Sequence, residues 1–538
     1  MSTVTTNELK RYGLPEDDTV MFEQFLNDTA GYNVGKIDSE ITRLDGNIDN
    51  KVKLNNESIQ NVNFIGNDGR ITGAIIGSQT YTFAQRIKIY SVRFSGSNPQ
   101  GTREDDAVGM IAEVGVDSQV VRNDFDSVSF FNRPIVCGDY QEDGTFKINA
   151  YKGEPTFATD GSNGNVWREC TPFYYKGDLD NYVSVCSMQL EGYSLAPGFK
   201  NGYEKVYLPC YFASLDNNLK MASISGKYPL TGSCNSFMVE ARKYNTKAHL
   251  ETIDWLISDY ILQLVEFANK DVENIMFGCQ NLDYNSTKSL SVVGETNVNR
   301  VIVSPTTADK YVIGQTICIG TSQNSDNIVK FATITDIINV DANKGLVFDG
   351  DAVNIQEGYF LSSRPYRCGS CDNVVASSGS PVSNTSGKYP CVWRGKENPW
   401  GDGFSTLSNV LTKRYGDGST IPYTYKPYYL KNPTLYSNGT ITSDYAELSY
   451  NLPTSDGYVK TLGTDIRYPF VKLTDVVGGG STTYHGAYYY YPRYDICSVM
   501  AGGYFAFGRN CSPVYFRCSY APSSSNLTFL ARLFVYRS

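Results

Sequence analysis

The chain has 538 residues, of which 41% are hydrophobic and 19% charged, with a net charge of −9 and 2 histidines. That balance excludes a disordered chain and the basic footprint of a nucleic-acid-binding protein, and it leaves little imidazole for acid–base or metal chemistry. No apolar run reaches the length of a membrane span, and the N-terminus MSTVTTNELKRYGLPEDD lacks a signal peptide's apolar core. The expectation is a protein made in the cytosol, with no membrane insertion, that stays there or leaves the cell by a route other than secretion. Thirteen cysteines, an odd number scattered singly, predict buried thiols in a reducing compartment rather than a disulfide framework. The 41 tyrosines stand out. Many lie in turn-like text, as in Pro422-Tyr-Thr-Tyr-Lys-Pro-Tyr-Tyr429 and Tyr488 to Tyr491. Tyrosine combines a stiff ring with a polar tip and suits recognition surfaces, although strands favour it too.

In chain order, residues 1–35 are a short polar piece with a helix expected at 17–26. Residues 36–60 follow, with Ile37, Ile41, Leu44, Ile48 and Val52 (or Lys51) spaced by fours and threes. That is a heptad seam of two to three repeats, and isoleucine at its core positions favours three strands, which predicts a homotrimer. The alternative is a lone amphipathic helix packed on the body. Glycine and asparagine turns between short alternating runs at 61–86 read as a small β neck.

The body starts with an alternating strand at 87–94, and turns are expected at Cys137-Gly-Asp, Glu142-Asp-Gly and Asp160-Gly-Ser-Asn-Gly164. One long helix is expected from Thr246, its N-cap, to about Asp271, with a shorter one at 235–244. Residues 300–366 are β-branched runs with glycine turns, predicting a compact all-β module inserted into the body. A Cys368-Gly-Ser-Cys371 loop, a Ser/Gly-rich linker at 376–387 and a tyrosine-rich final third complete the chain.

Catalytic signatures are scarce. Cys368, Cys371 and Cys391 make half a zinc site, and reduced loop thiols are the default, so no metal and no cofactor is expected. His249 reads as an ordinary helix residue, and no nucleophile motif accompanies either histidine. Paired carboxylates of a glycosidase leave no local mark, which keeps a polysaccharide-degrading enzyme open.

The run Trp393-Arg-Gly-Lys-Glu-Asn-Pro-Trp-Gly401 resembles the W/Y-R-G-x-E-N-P-W-G signature of phage proteins whose C-type-lectin-like body is also found in formylglycine-generating enzymes. Residues 160–167 and 172–176 are similar to the DGS-x-G-x-V and P-x-F-Y-Y-K text of the same phage proteins. Residues 500–538 resemble the variable region of tropism determinants from diversity-generating retroelements, through Gly502, Gly503, Gly508, Pro522, Ser523, Ser525, Arg532 and Leu533. Phe505 replaces the usual Trp, Phe529 the Ile and Leu530 the second Gly.

The resemblance implies an α+β fold: an N-terminal virion anchor (1–35), a short trimeric coiled coil (36–60), a β neck (61–86), and a C-type-lectin-like head (87–299 and 367–538) carrying the inserted β module (300–366). It implies a non-enzymatic bacteriophage tail or head fibre that joins other virion proteins through its N-terminus and binds a bacterial surface receptor, glycan or protein, through its C-terminus. The outward, receptor-binding positions are then Tyr504, Ala506, Phe507, Arg509, Asn510, Tyr515, Arg517, Ser519 and Tyr520. The frame is Trp393, Arg394, Glu397, Trp400, Gly502, Gly503, Gly508, Pro522 and Arg532, with Arg394 and Glu397 expected to pair and residues 529–536 to form one final strand. The alternatives are a virion-associated polysaccharide-degrading enzyme and a structural head fibre or decoration protein.

Overall fold

A computed structural model describes residues 62–67, 70–76, 79–82, 87–199, 205–284, 286–323 and 325–536. The expected anchor and coiled coil lie outside these residues. The chain divides into two units, Met1–Ile87 and Lys88–Ser538. In the first, Val62–Asn67, Arg70–Ile76 and Gln79–Thr82 form an antiparallel three-stranded meander.

The second unit corrects the α+β, C-type-lectin-like expectation, because the described residues are 37% strand and 10% helix, with three α-helices. These are α1 (Cys234–Tyr244), α2 (Ile253–Phe267) and α3 (Pro305–Ala308). The physical reason is visible at the expected long helix. Its first residues, Ala248–His249, are taken up as a strand that pairs with Phe534–Val535, so the helix begins at Ile253 after Thr252 rather than at Thr246. Tertiary pairing overrides local helical periodicity here. α1 has the capping box its sequence lacks in ordinary Glu/Gln form: Ser233 caps the Ser236 N–H and Ser236 returns the bond.

The largest sheet has nine strands. Along it run Tyr445–Glu447, Thr424–Leu430, Phe404–Tyr415, Ile496–Ala501, Phe516–Tyr520, Tyr488–Tyr490, Gly457–Leu462 and Thr474–Val477, with Phe529–Leu530 added parallel to Phe404–Tyr415. Five-stranded and four-stranded antiparallel sheets from residues 89–209 complete the scaffold around one core, which includes Trp167, Trp393, Trp400 and the apolar face of α2. The expected turn at Cys137-Gly-Asp lies inside the strand Ile135–Tyr140 instead, where the register shifts between Cys137 and Gly138. A Cβ on Gly138 would stand 2.2 Å from the Lys147 carbonyl oxygen, so this glycine serves a bulge, not a reversal.

The tyrosine-rich runs also fold differently from the turn-like reading. Tyr425, Tyr428, Tyr429 and Tyr489 are strand residues buried in the core. The final stretch is two short strands, Phe529–Leu530 and Phe534–Val535, separated by buried Ala531, Arg532 and Leu533 rather than one alternating strand.

The inserted module has its own core of Val301, Val303, Ile317, Ile319, Ile334, Leu346 and Leu361, among others. Its six strands run from Ser291–Val293 to Phe360–Ser363. Backbone bonds from Ser291 N to Tyr359 O and from Leu361 N to Ser289 O join the first strand to the last and close the sheet on itself. Closure removes the free edges that β-branched strands would otherwise expose. The module therefore begins about ten residues before residue 300.

Candidate functional site

The 393–401 run is the hub of a buried charge network. α2 carries Asp259 and Glu266 seven residues apart, two turns along one face, and Glu251 lies just before it. Asp259 accepts from Arg133 at 2.6 Å, Arg168 at 2.6 and 3.2 Å and Lys396 at 3.3 Å. Burial alone would raise the Asp259 carboxyl, but Arg168, Arg133 and Lys396 together hold it well below the usual carboxylate range. Glu266 accepts from Trp393 Nε1, Arg394 Nε and Arg394 Nη2, each at 2.8 Å. Lys396 reaches Glu251 at 2.5 Å.

The expected Arg394–Glu397 pair is thereby replaced. Arg394 belongs to Glu266, while Glu397 accepts the backbone N–H groups of Gly369 (3.0 Å) and Cys371 (2.8 Å). The CGSC loop thus works as a carboxylate cradle. Burial pushes the Cys368, Cys371 and Cys391 thiols up, away from the thiolate form that a metal requires. Among the described residues, all thirteen cysteines are free and buried, and no group of three or more His, Cys, Asp or Glu side chains is placed to hold a metal ion. Arg532 joins the C-terminus to the hub by donating to the carbonyls of Glu397 (2.5 Å), Asn398 (2.8 Å) and Cys210 (3.3 Å) while stacking on Phe212.

A cavity of about 570 Å³ lies beside this hub, lined by residues that include Arg133, Tyr211, Asp372, Arg394 and Glu397. Burial, and next to it the Asp372 charge, pushes Glu397 up to about 8. Tyr211 donates to Asp372 at 2.5 Å.

The histidines are interior residues. His249 is on a strand, not early in a helix, and burial pushes it down to about 4. His485 lies in a buried chain, with Nδ1 at 2.7 Å from the Tyr260 hydroxyl and Nε2 at 2.7 Å from Asp180. Its complete burial leaves no access for a substrate.

The C-terminal segment forms the second site. Ile496–Ala501 runs through the middle of the large sheet and ends at Gly502 and Gly503, with φ of 90° and 82°. A Cβ on Gly503 would stand 2.5 Å from Cys511 Sγ, so the turn requires glycine on both conformational and steric grounds. The loop that follows is pinned from outside: Leu282 N donates to Phe505 O at 2.6 Å and Gly508 N to Gln280 O at 2.8 Å. Phe505, in the position of the usual Trp, is fully buried beside Cys279, Leu282 and Tyr366. Phe516–Tyr520 then returns between Ile496–Ala501 and Tyr488–Tyr490.

Of the nine expected outward residues, Tyr504, Ala506, Phe507, Arg509, Asn510, Arg517 and Tyr520 are partly exposed. Tyr515 (0%) and Ser519 (3%) are buried, which removes them from the contact surface. Tyr515 packs under Phe404 and Phe507. Ser519 accepts from Arg517 Nε at 3.1 Å.

The remaining seven do not form one patch of equal character. Arg509 is tied to Asn274 at 2.8 Å and Asp271 at 3.5 Å, and Asn510 accepts from the Tyr458 hydroxyl at 2.7 Å. Phe507 and Tyr520 lie against Arg517, whose guanidinium carbon is 4.6 Å from the Tyr490 ring centre, 4.7 Å from Tyr520, 5.4 Å from Phe404 and 5.5 Å from Phe507, and Tyr504 packs on Phe507 and Phe404. Tyr490 and Phe507 are nearly parallel, with an interplanar angle of 16°. Tyr490 and Phe404 were not among the expected residues. The Tyr488 to Tyr491 run signalled recognition, but nothing in it specified a strand parallel to Phe516–Tyr520.

Neither a protein-family model nor a curated protein matches the chain.

Proposed function

We propose that this chain is a non-enzymatic fibre protein of a bacteriophage that binds a bacterial surface receptor through the face formed by Tyr490, Tyr504, Phe507, Arg517 and Tyr520. The observation that carries the reading is Arg517, a partly exposed guanidinium bounded by four aromatic rings in a rigid, doubly paired strand. Aromatic rings and arginine are the residue types that dominate binding hot spots, and a preorganised frame lowers the ordering cost of binding. The resemblance of residues 500–538 to tropism determinants supports the assignment to a virion, and the heptad seam at 36–60 supports a trimer. Three weak contacts then act together through effective concentration.

The test is adsorption of the labelled full-length protein to a panel of bacterial strains. Combined Tyr504→Ala, Phe507→Ala and Arg517→Ala substitutions are expected to abolish adsorption while circular dichroism and melting remain those of a folded chain. Undiminished adsorption by the folded triple variant would sink the assignment.

A second reading, cleavage of surface polysaccharide, is favoured by the cavity that Glu397 and Asp372 both line, because a pair of carboxyl groups is what acid–base hydrolysis uses. Prolonged incubation with purified capsule decides it. New reducing ends that disappear in an Asp372→Asn variant would favour the enzyme, and none are expected.

A further inference from the structure

We infer that the receptor group seated on the Arg517 face is a carboxylate-bearing saccharide; this rests on the receptor-binding reading above and names its ligand class. The first observation is charge. The fully buried arginines set against rings each have a carboxylate: Arg133 and Arg168 share Asp259, Arg394 has Glu266, and Arg532 lies 3.9 Å from Glu251, while half-buried Arg103, over Phe125, spends its two terminal nitrogens on the Val265 and Glu266 carbonyls. Arg517 makes no ion pair among the described residues. Its Nε donates to Ser519 and its Nη2 to the Tyr520 hydroxyl, each at 3.1 Å, and both partners are neutral. A guanidinium held in a half-buried aromatic setting without a counter-ion favours an anion, and a carboxylate matches its planar donor geometry.

The second observation is the shape and polarity of the rim. Tyr490 and Phe507 stand nearly parallel, and Tyr504 meets Phe507 edge-on with ring centres 4.3 Å apart. A pyranose has an apolar C–H face and a polar hydroxyl edge, and an aromatic ring with its electron-rich face accepts the former. The hydroxyls of Tyr490 and Tyr504 have no hydrogen-bond partner among the described residues and are not among the sealed, unsatisfied atoms of the interior, so they are open to a sugar's hydroxyl edge.

The third observation disfavours an acidic peptide as occupant. Phe516–Tyr520 is paired along both sides, antiparallel to Ile496–Ala501 and parallel to Tyr488–Tyr490, so it offers no free edge for an extended peptide to join.

The experiment is titration calorimetry of the full-length protein with a uronic-acid oligosaccharide, its carboxyl-reduced counterpart and an acidic peptide, in parallel with adsorption to cells. The acidic oligosaccharide is expected to bind, and reduction of its carboxyls or an Arg517→Gln substitution to weaken binding about ten- to a hundredfold, the range of one charge-assisted hydrogen bond. Arg517→Lys should restore part of the loss. If Arg517→Gln does not fold, a Tyr490→Phe, Tyr504→Phe double variant keeps the rings and is expected to bind the saccharide about fivefold more weakly through two lost hydrogen bonds. Binding that survives carboxyl reduction overturns the inference. So does cell adsorption that is destroyed by protease but indifferent to excess oligosaccharide, and that result leaves the receptor-binding reading standing with a protein receptor. No adsorption by the folded protein removes both.

Discussion

Arginine is set against aromatic rings in two regions of this molecule. At the hub, Arg133 and Arg168 lie over Trp393 and Arg394 over Phe131, with every guanidinium buried and facing a carboxylate of α2. On the C-terminal face, Arg517 touches four rings and faces no carboxylate. The rings are similar, and the counter-ion is what separates the two settings. A paired, buried guanidinium has its charge neutralised internally and holds elements together; an unpaired, half-exposed one keeps its electrostatic capacity for whatever approaches.

The most severe way to break this contrast is Asp259→Asn. It leaves Arg133, Arg168 and Lys396 without their shared anion, and loss of one partner of a buried pair costs about 3–5 kcal/mol. Urea unfolding should show that loss, and a change below about 1 kcal/mol would mean that the network does not hold the hub. Glu266→Gln keeps the shape and part of the hydrogen bonding to Trp393 and Arg394, so a smaller loss of about 2–3 kcal/mol is expected in the same measurement.

The pH dependence sharpens the contrast within the interior itself. Burial pushes Glu397 up to about 8, Asp402 up to about 7 and, against the pull of Arg509, Asp271 up to about 6. A carboxyl whose folded pKa exceeds its unfolded value binds its proton more tightly in the folded chain, so its contribution is full below pH ~4 and is lost as pH rises through the folded value. Asp259 and Glu251 are shifted the other way: burial opposes their ionisation, but their cations outweigh it, and their contribution is lost as pH falls below ~4. Melting temperature should therefore decline from about pH 5 to pH 8, and Glu397→Gln should flatten the last part of that decline. A melting temperature that rises steadily over this range would contradict the assignment of Glu397 as an unpaired acid.

The smallest expected effect on stability is at the other arginine. Arg517→Gln gives up cation–π contacts at a half-exposed site, about 1–2 kcal/mol, and so destabilises less than Asp259→Asn while affecting binding more. If the two variants proved equally destabilising, Arg517 would be another structural arginine and the contrast would collapse.

Part of this arrangement was legible in the residues. The strands between residues 62 and 82, the β-branched strands around residues 300–363, the helix of α1 and the interior thiols follow from local pattern, because β-branched alternation, helical apolar spacing and isolated cysteines constrain structure over a few residues. The partly exposed positions Tyr504, Phe507, Arg517 and Tyr520 were also among the expected ones. Tyr515 and Ser519 were not separable from them, since strand alternation says which residues share a face but not which face the rest of the chain covers. The α+β expectation fails for the same reason. Residues 246–252 have helical spacing, and the backbone of Phe534–Val535, nearly 300 positions away, takes Ala248–His249 as a strand.

The sequence by itself determined composition, the frame glycines and the presence of an aromatic, basic C-terminus, because these depend on residue type and on dihedral preferences local to each position. Only the tertiary structure decided which carboxylate each arginine receives. Arg394 and Glu397 are three residues apart and do not pair; Glu266 and the Gly369 and Cys371 amides, brought close by packing, satisfy them instead. Arg517 is left without an anion by the same packing, because a charge finds its partner through space, and distance along the chain does not measure that space.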